Sequence, residues 1–296
     1  MENNQVVIRN LTKGINPWLF FLIALGISWT FWLPLIFLEG DPMAPPLLVL
    51  TILGGLGPAA AEFFLIQFQG SPVQRRDYFQ RIFDIRRIKW QWAAGILVFF
   101  PLLNAAATGL SVISGGPAPS WETVQELINQ PLSIVPYLLV MFLFGPLPEE
   151  LGWSGYALDG LQKKHTAAAS SLIIGAVWAV WHLPLFFVEG TFQHDQIGFA
   201  TSAFLWFMLP TLPISILDTW VYNNNHRSTL AAVLVHFMVN LSGELFNLSG
   251  RARFYQTILL LLFTAYVVMR WGPEQLKERN PVREERTRVP GLETSG

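Results

Sequence analysis

The sequence predicts an all-α membrane protein, a polytopic bundle of about eight transmembrane helices. Three observations lead there. Of the 296 residues, 52% are hydrophobic and 13% charged, against about 25% charged in soluble globular chains. Apolar stretches of about 20 residues, the length that crosses the hydrocarbon core, recur from end to end. Basic residues gather in every second connection between them.

The stretches run over about 17–38, 44–68, 91–113, 132–158, 166–188, 199–221, 228–247 and 254–271. The fourth is interrupted by Pro146 and Pro148. An interior proline removes a backbone hydrogen bond and clashes with the preceding turn, so a separate helix is expected to begin near Glu149. The connections are short, which predicts one membrane domain over 17–272. A cytoplasmic segment 1–16 precedes it and a charged tail 273–296, expected to be disordered, follows. Met1 to Asn16 are polar and lack the pattern of a signal peptide, so the first stretch is expected to be retained.

With the N-terminus inside, 17 of the 19 basic residues fall on the inner side, and Arg251 and Arg253 fall outside. The positive-inside rule then puts both termini in the cytoplasm, with the protein in the cell (inner) membrane. An odd helix count would scatter these residues over both faces. The basic run 75–89 suits contact with anionic lipid, although topology alone accounts for it. A net charge of −1 offers no global field for nucleic acid, and no nucleic-acid partner is expected. With no cysteine, disulfides, thiolate metal sites and a cysteine nucleophile are excluded.

Ionisable residues inside a bilayer are costly and are functional suspects. Glu149 and Glu150 are adjacent, His182 follows Trp178 by four positions, and Asn240 follows His236 by four. Glu62 and Asp218 stand alone and read as structural acids. Each of the others also has a bland reading. A lone histidine is more often a hydrogen-bonded packing residue, and paired glutamates beside a helix break suit a solvated N-terminus. Together they form a set able to surround one water. His236 and Asn240 share a helix face, and Trp178 is placed to hold the His182 ring. A peptidase without a serine or cysteine nucleophile needs a base for water and donors for the oxyanion. Glutamate serves as the first, histidine and asparagine as the second. The set is also close to a zinc site of two histidines and a carboxylate, but HExxH is absent.

Glu149-Glu150 followed by Gly152-Trp153 and Gly155-Tyr156, then Trp178-x-x-x-His182-Leu183-Pro184, then His236-x-x-x-Asn240, resembles the CPBP family. These are the CAAX-protease-like and bacteriocin-processing-like intramembrane peptidases, also called Abi proteins. The resemblance covers 149–240 by motif. It implies Glu149 as base for water, Glu150 as its assistant, His182 as a holder of water or metal, and His236 and Asn240 as oxyanion donors. It leaves two routes open. One is a zinc ion held by Glu149, His182 and His236; the other is a glutamate-activated water with no metal. The implied substrate is a membrane-associated protein or peptide. The family's pattern has an arginine four places after the second glutamate, where this chain has Ser154.

Straight helices leave one difficulty. Glu149 would lie near the inner end of the fourth helix, and His236 about 12 Å into the seventh at 1.5 Å per residue. They meet only if boundaries shift or tilt. Two other function classes compete: a non-catalytic immunity or peptide-binding protein of the same fold, and a transporter. A transporter predicts repeat symmetry or paired broken helices, which the sequence does not display.

Overall fold

The computed structural model describes residues 14–277, and among these it holds helices and no strand. The expected segment 1–13 and the tail from 278 onward lie outside the described residues. Seven helical segments are long and apolar enough to cross a bilayer. A bent pair, α2 (Leu47–Gly55) and α3 (Gly57–Gln69), makes the eighth as a broken span with a 52° bend. The break has a local cause: Pro58 removes a backbone donor at the start of α3.

The first span is α1 (Pro17–Leu35), and the third is α5 (Trp90–Ile113), reached through the short α4 (Pro72–Phe83). A connecting helix α6 (Glu122–Asn129) leads to the fourth span. That span joins α7 (Ile134–Phe144) to α8 (Pro146–Gly152), then runs through a π-helical turn, Trp153–Ala157, to Leu161. The last four spans begin with α9 (Ala167–Trp181), continued by a short 3₁₀ turn, and the paired α10 (Ser202–Met208) and α11 (Thr211–Asn224). They end with α12 (Thr229–Phe246) and α13 (Gly250–Trp271).

The outer surface is apolar. Leu22, Phe68, Leu97, Ile113, Leu132 and Leu262 are all exposed, as suits side chains that face lipid rather than water. The interior is knitted by polar side chains instead, which act as glue where hydrocarbon surrounds the helices. Gln256 donates to Asn104 at 2.7 Å and Asn104 donates to Ser242 at 3.0 Å, joining α13, α5 and α12. Ser171 donates to Thr219 at 2.7 Å, joining α9 and α11.

Alternate connections share an end, as the basic asymmetry requires. At one end Arg87 donates to the His226 carbonyl at 2.7 Å, and the Lys89 amide to Asn225 at 3.2 Å. At the other, Asn247 donates to Ser120 at 2.9 Å and Arg251 to the Ser114 carbonyl at 2.5 Å. Residues 273–277, which the sequence assigns to the tail, dock at the basic end. The Ala167 amide donates to the Glu274 carbonyl, Asn224 to that of Leu276, and the Leu276 side chain is buried. Exposed backbone acceptors of the tail meet the start of one helix and the end of another.

A buried ion cluster closes the basic end. Asp159 accepts from Arg227 and, at 3.3 Å, from Arg81. Arg81 also pairs with Asp77 at 3.0 Å and donates to the Tyr222 hydroxyl at 2.6 Å. Burial alone works against the charge on Arg227, but Asp159, then Tyr222 and Asp77, outweigh it and raise its pKa. His226 and Arg227 both lie in the left-handed backbone region, at φ 52° and 58°. Neither is glycine, so the turn is strained, and the guanidinium contacts hold it in place.

Removing one partner from such a cluster leaves buried cations without compensation. Asp159→Ala should destabilise the protein by about 3–5 kcal/mol, read as a lower thermal unfolding midpoint in detergent. Arg86→Ala, which breaks an exposed pair with Asp84, should leave the midpoint unchanged.

Candidate active site

The fourth span turns twice around the two glutamates. Gly145 and Pro146 end α7 and start α8, and the π-helical turn follows Gly152. A Cβ at Gly152 would lie 2.6 Å from Phe20 and 2.8 Å from the Pro58 carbonyl, so glycine lets α1 and α3 press against α8. The span continues past Glu149 to Leu161. The pair therefore lies within the span rather than near its end, and the mismatch in depth with His236 disappears. Both carboxylates are buried, Glu149 at 7% exposure and Glu150 at 2%. The solvated N-terminal reading does not hold.

Each carboxylate is met by donors from other helices. Trp178 on α9 donates its indole N–H to Glu149 Oε2 at 2.6 Å. His236 on α12 donates from Nδ1 to Glu150 Oε1 at 3.1 Å. Ser154 donates to Glu150 Oε2 from one turn along the same span. The serine at the arginine position thus holds the second glutamate through a hydroxyl instead of a cation. The Trp178 and His236 rings meet edge to face, their centroids 4.9 Å apart.

His182 is half-buried at the end of α9. Its Nδ1 donates to the Trp178 carbonyl at 2.9 Å, which leaves Nε2 as the free position of the ring. Trp181 and Phe207 flank it at centroid distances of 4.8 and 5.4 Å. Trp181 is in turn fixed to α1 by its bond to Ser28 at 2.6 Å. Asn240 is half-buried one turn beyond His236 and borders Gly145, where an added Cβ would come within 3.5 Å of its Nδ2. Glu149, Glu150 and His236 are thus joined directly or through Trp178, His182 is joined through Trp178, and Asn240 borders the break that places the glutamates.

The donor set does not assemble a metal centre. Among the described residues no three His, Cys, Asp or Glu side chains are grouped so as to hold an ion. The Glu149, His182 and His236 set is therefore not formed as a ligand cluster. Two of its groups are already turned to protein partners: one oxygen of Glu149 to an indole, and His236 Nδ1 to Glu150.

One contribution is not visible in the spacing. Trp178 supports His182 and its indole also holds Glu149; a tryptophan at that spacing carries a donor as well as a ring. Asp218 reads as a structural acid. It is buried, its Oδ1 has no hydrogen-bond partner among the described residues, and it lies within electrostatic reach of Glu150. Glu62, also read as structural, accepts from the Tyr78 hydroxyl at 2.6 Å, away from the cluster.

Residues 131–242 match the family described as type II CAAX prenyl endopeptidase, Rce1-like. That stretch contains every residue of the cluster. The match supports the resemblance of that stretch to the CPBP family. The chain is 27% identical to CAAX prenyl protease 2 of Methanococcus maripaludis over 255 residues, 86% of this chain and 93% of that protein. It is also 27% identical to UPF0177 protein YxdF of Lactococcus lactis over 164 residues, 54% of this chain and 77% of that one. The matched stretch begins at the fourth span and ends within α12, so the first three spans and α13 flank it.

The donors to the carboxylates should be measurable in stability. Trp178→Phe keeps the ring and removes the indole N–H, and Ser154→Ala removes the hydroxyl. Each should cost about 1.5–3 kcal/mol, the range for hydrogen bonds to charged groups, as a fall in the thermal unfolding midpoint in detergent. An unchanged midpoint for both would mean that the two carboxylates draw nothing from these bonds.

Proposed function

We propose that this protein is an intramembrane endopeptidase that hydrolyses a peptide bond of a membrane-associated protein or peptide, with Glu149 activating the water. The observation that carries the reading is the set of neutral donors at Glu149. The Trp178 indole holds one oxygen at 2.6 Å, the Trp153 indole reaches the same carboxylate, and no arginine or lysine pairs with it among the described residues. A buried carboxylate held by indoles and by no fixed cation is able to take a proton from a small polar molecule. The free Nε2 of His182 supports the same reading, because it accepts a hydrogen bond from water.

The proposed step is balanced within the cluster. Glu149 takes a proton from water while the water oxygen adds to the scissile carbonyl carbon. The carbonyl electrons move to oxygen, and the oxyanion receives hydrogen bonds from His236 and Asn240. His236 can serve there while Nδ1–H stays on Glu150, provided Nε2 also carries a proton. The C–N bond then breaks, and the proton held by Glu149 passes to the leaving amine. Glu150 positions His236, and Ser154 positions Glu150. The name of the Methanococcus relative suggests prenylated CAAX peptides as the first substrates to test.

Glu149→Gln should lower cleavage of a farnesylated CAAX peptide in proteoliposomes by about 10²–10⁴-fold, the usual contribution of a general base. His236→Ala and Asn240→Ala should each lower it by about 10²–10³-fold. Unchanged turnover by Glu149→Gln would remove its assigned role. A wild-type protein that binds the peptide without cutting it would favour the non-catalytic peptide-binding reading.

We place the basic end, with both termini, on the cytoplasmic side of the cell membrane, because 17 of 19 basic residues lie there by the alternation of spans. The chain has no native cysteine, and Gln80 and Ala118 are both exposed. An impermeant thiol reagent should label Ala118→Cys in intact cells and Gln80→Cys after permeabilisation. The reverse pattern would invert the topology.

A further inference from the structure

Between α5, α11, α12 and α13 lies a cavity of about 340 Å³. That volume is within the range of small-molecule sites, about 300–1,000 Å³. Its walls are almost wholly apolar and aromatic, from α5, α11, α12 and α13, and include Trp92, Phe99, Leu217, Trp220, Val235 and Trp271. Leu217 and Val235 precede Asp218 and His236 in the chain, so the cavity lies against the back of the candidate active site.

Three observations point to what it takes. First, the cavity opens through α5, where Gln91 and Gly95 are exposed. A Cβ at Gly95 would meet nothing within 4 Å. Glycine inside a helix costs about 0.5–1 kcal/mol relative to alanine, and no neighbour's crowding explains it here. What it does is leave the groove open. Second, the indole N–H groups of Trp220 and Trp271 are buried and have no acceptor among the described residues. Third, the opening is at the basic end. Exposed Lys89 immediately precedes α5, and Arg270 lies over the Trp271 ring at 5.3 Å. Neither has a carboxylate partner among the described residues.

We propose that this cavity holds an acyl chain of an anionic glycerophospholipid drawn from the leaflet at the basic end. The chain fills the apolar volume between α5 and α13. Its ester carbonyl lies at the depth of Trp220 and Trp271 and accepts from one indole N–H after a small turn of the ring. Its phosphate sits between Lys89 and Arg270, where unpaired cations face the headgroups. An apolar chain with an acceptor and an anion at one end matches the cavity in that order.

Native mass spectrometry of the full chain, delipidated and then given dioleoylphosphatidylglycerol, tests this independently of peptide cleavage. One lipid should be retained, in preference to dioleoylphosphatidylcholine by about fivefold for each of the two cations engaged. Gly95→Trp should fill the groove and weaken retention at least about tenfold. Gly95→Ala, which adds a methyl into open space, should bind as wild type does. Trp220→Phe and Trp271→Phe keep the apolar wall and remove the donors, so at least one should weaken retention at unchanged thermal midpoint. Retention by Gly95→Trp equal to wild type would overturn the site. So would equal retention of the two lipids, or displacement of the lipid by a farnesylated peptide in a one-to-one exchange.

Discussion

A buried charge in a bilayer must find its partner on another helix, because neither water nor lipid will solvate it. In this protein that constraint decides which spans touch. Asp159 sits on the fourth span with Arg81 from α4 on one side and Arg227 from the turn before α12 on the other. Tyr222 on α11 completes the shell. Four parts of the chain, separated by up to 150 residues, are gathered by one carboxylate and its neighbours. Desolvating such ions is expensive, and the cluster offsets that expense only because every member is met several times.

The carboxylates deeper in the same span follow the same logic with weaker donors. Glu149 and Glu150 are held by an indole, an imidazole and a hydroxyl, not by arginine. A guanidinium would neutralise a carboxylate and fix it as an ion pair. An indole or a hydroxyl orients it and leaves it able to exchange a proton. Cations are concentrated at the basic end, and neutral or titratable donors in the interior. Ser154 is instructive here: a hydroxyl one turn from Glu150 performs the holding role without adding charge beside His236.

Much of this was legible in the sequence because lipid imposes lengths. Seven of the expected spans are helices long enough to cross, a bent pair stands in the place of the second, and the proline break before Glu149 falls where Pro146 and Pro148 lie. The convergence of Glu149, Glu150 and His236 was legible from cost alone, since burying each apart from the others would be worse. Other features were not. Nothing in the spacing singles out Asp159, because burial depends on which helix covers it. The docking of Glu274 and Leu276 rests on backbone carbonyls, which composition does not encode. The 52° bend hides inside an apolar run of ordinary length. Histidines and carboxylates of the types that hold zinc are legible in the sequence, whereas ligand geometry depends on where their free atoms point.

The strained turn at His226 and Arg227 has a consequence for how the protein is made. Asp77 and Arg81 leave the ribosome first, Asp159 follows, and Arg227 is the last of the cluster to appear. Until the turn between α11 and α12 has formed on the correct side, Arg81 and Asp159 lack their full shell. The left-handed turn, unfavourable by itself, is secured when Arg227 reaches Asp159. A chain with one span inserted the wrong way round leaves that turn on the opposite face of the bilayer and the ions open. The cluster is therefore complete only once Arg227, the last of its members along the chain, reaches Asp159.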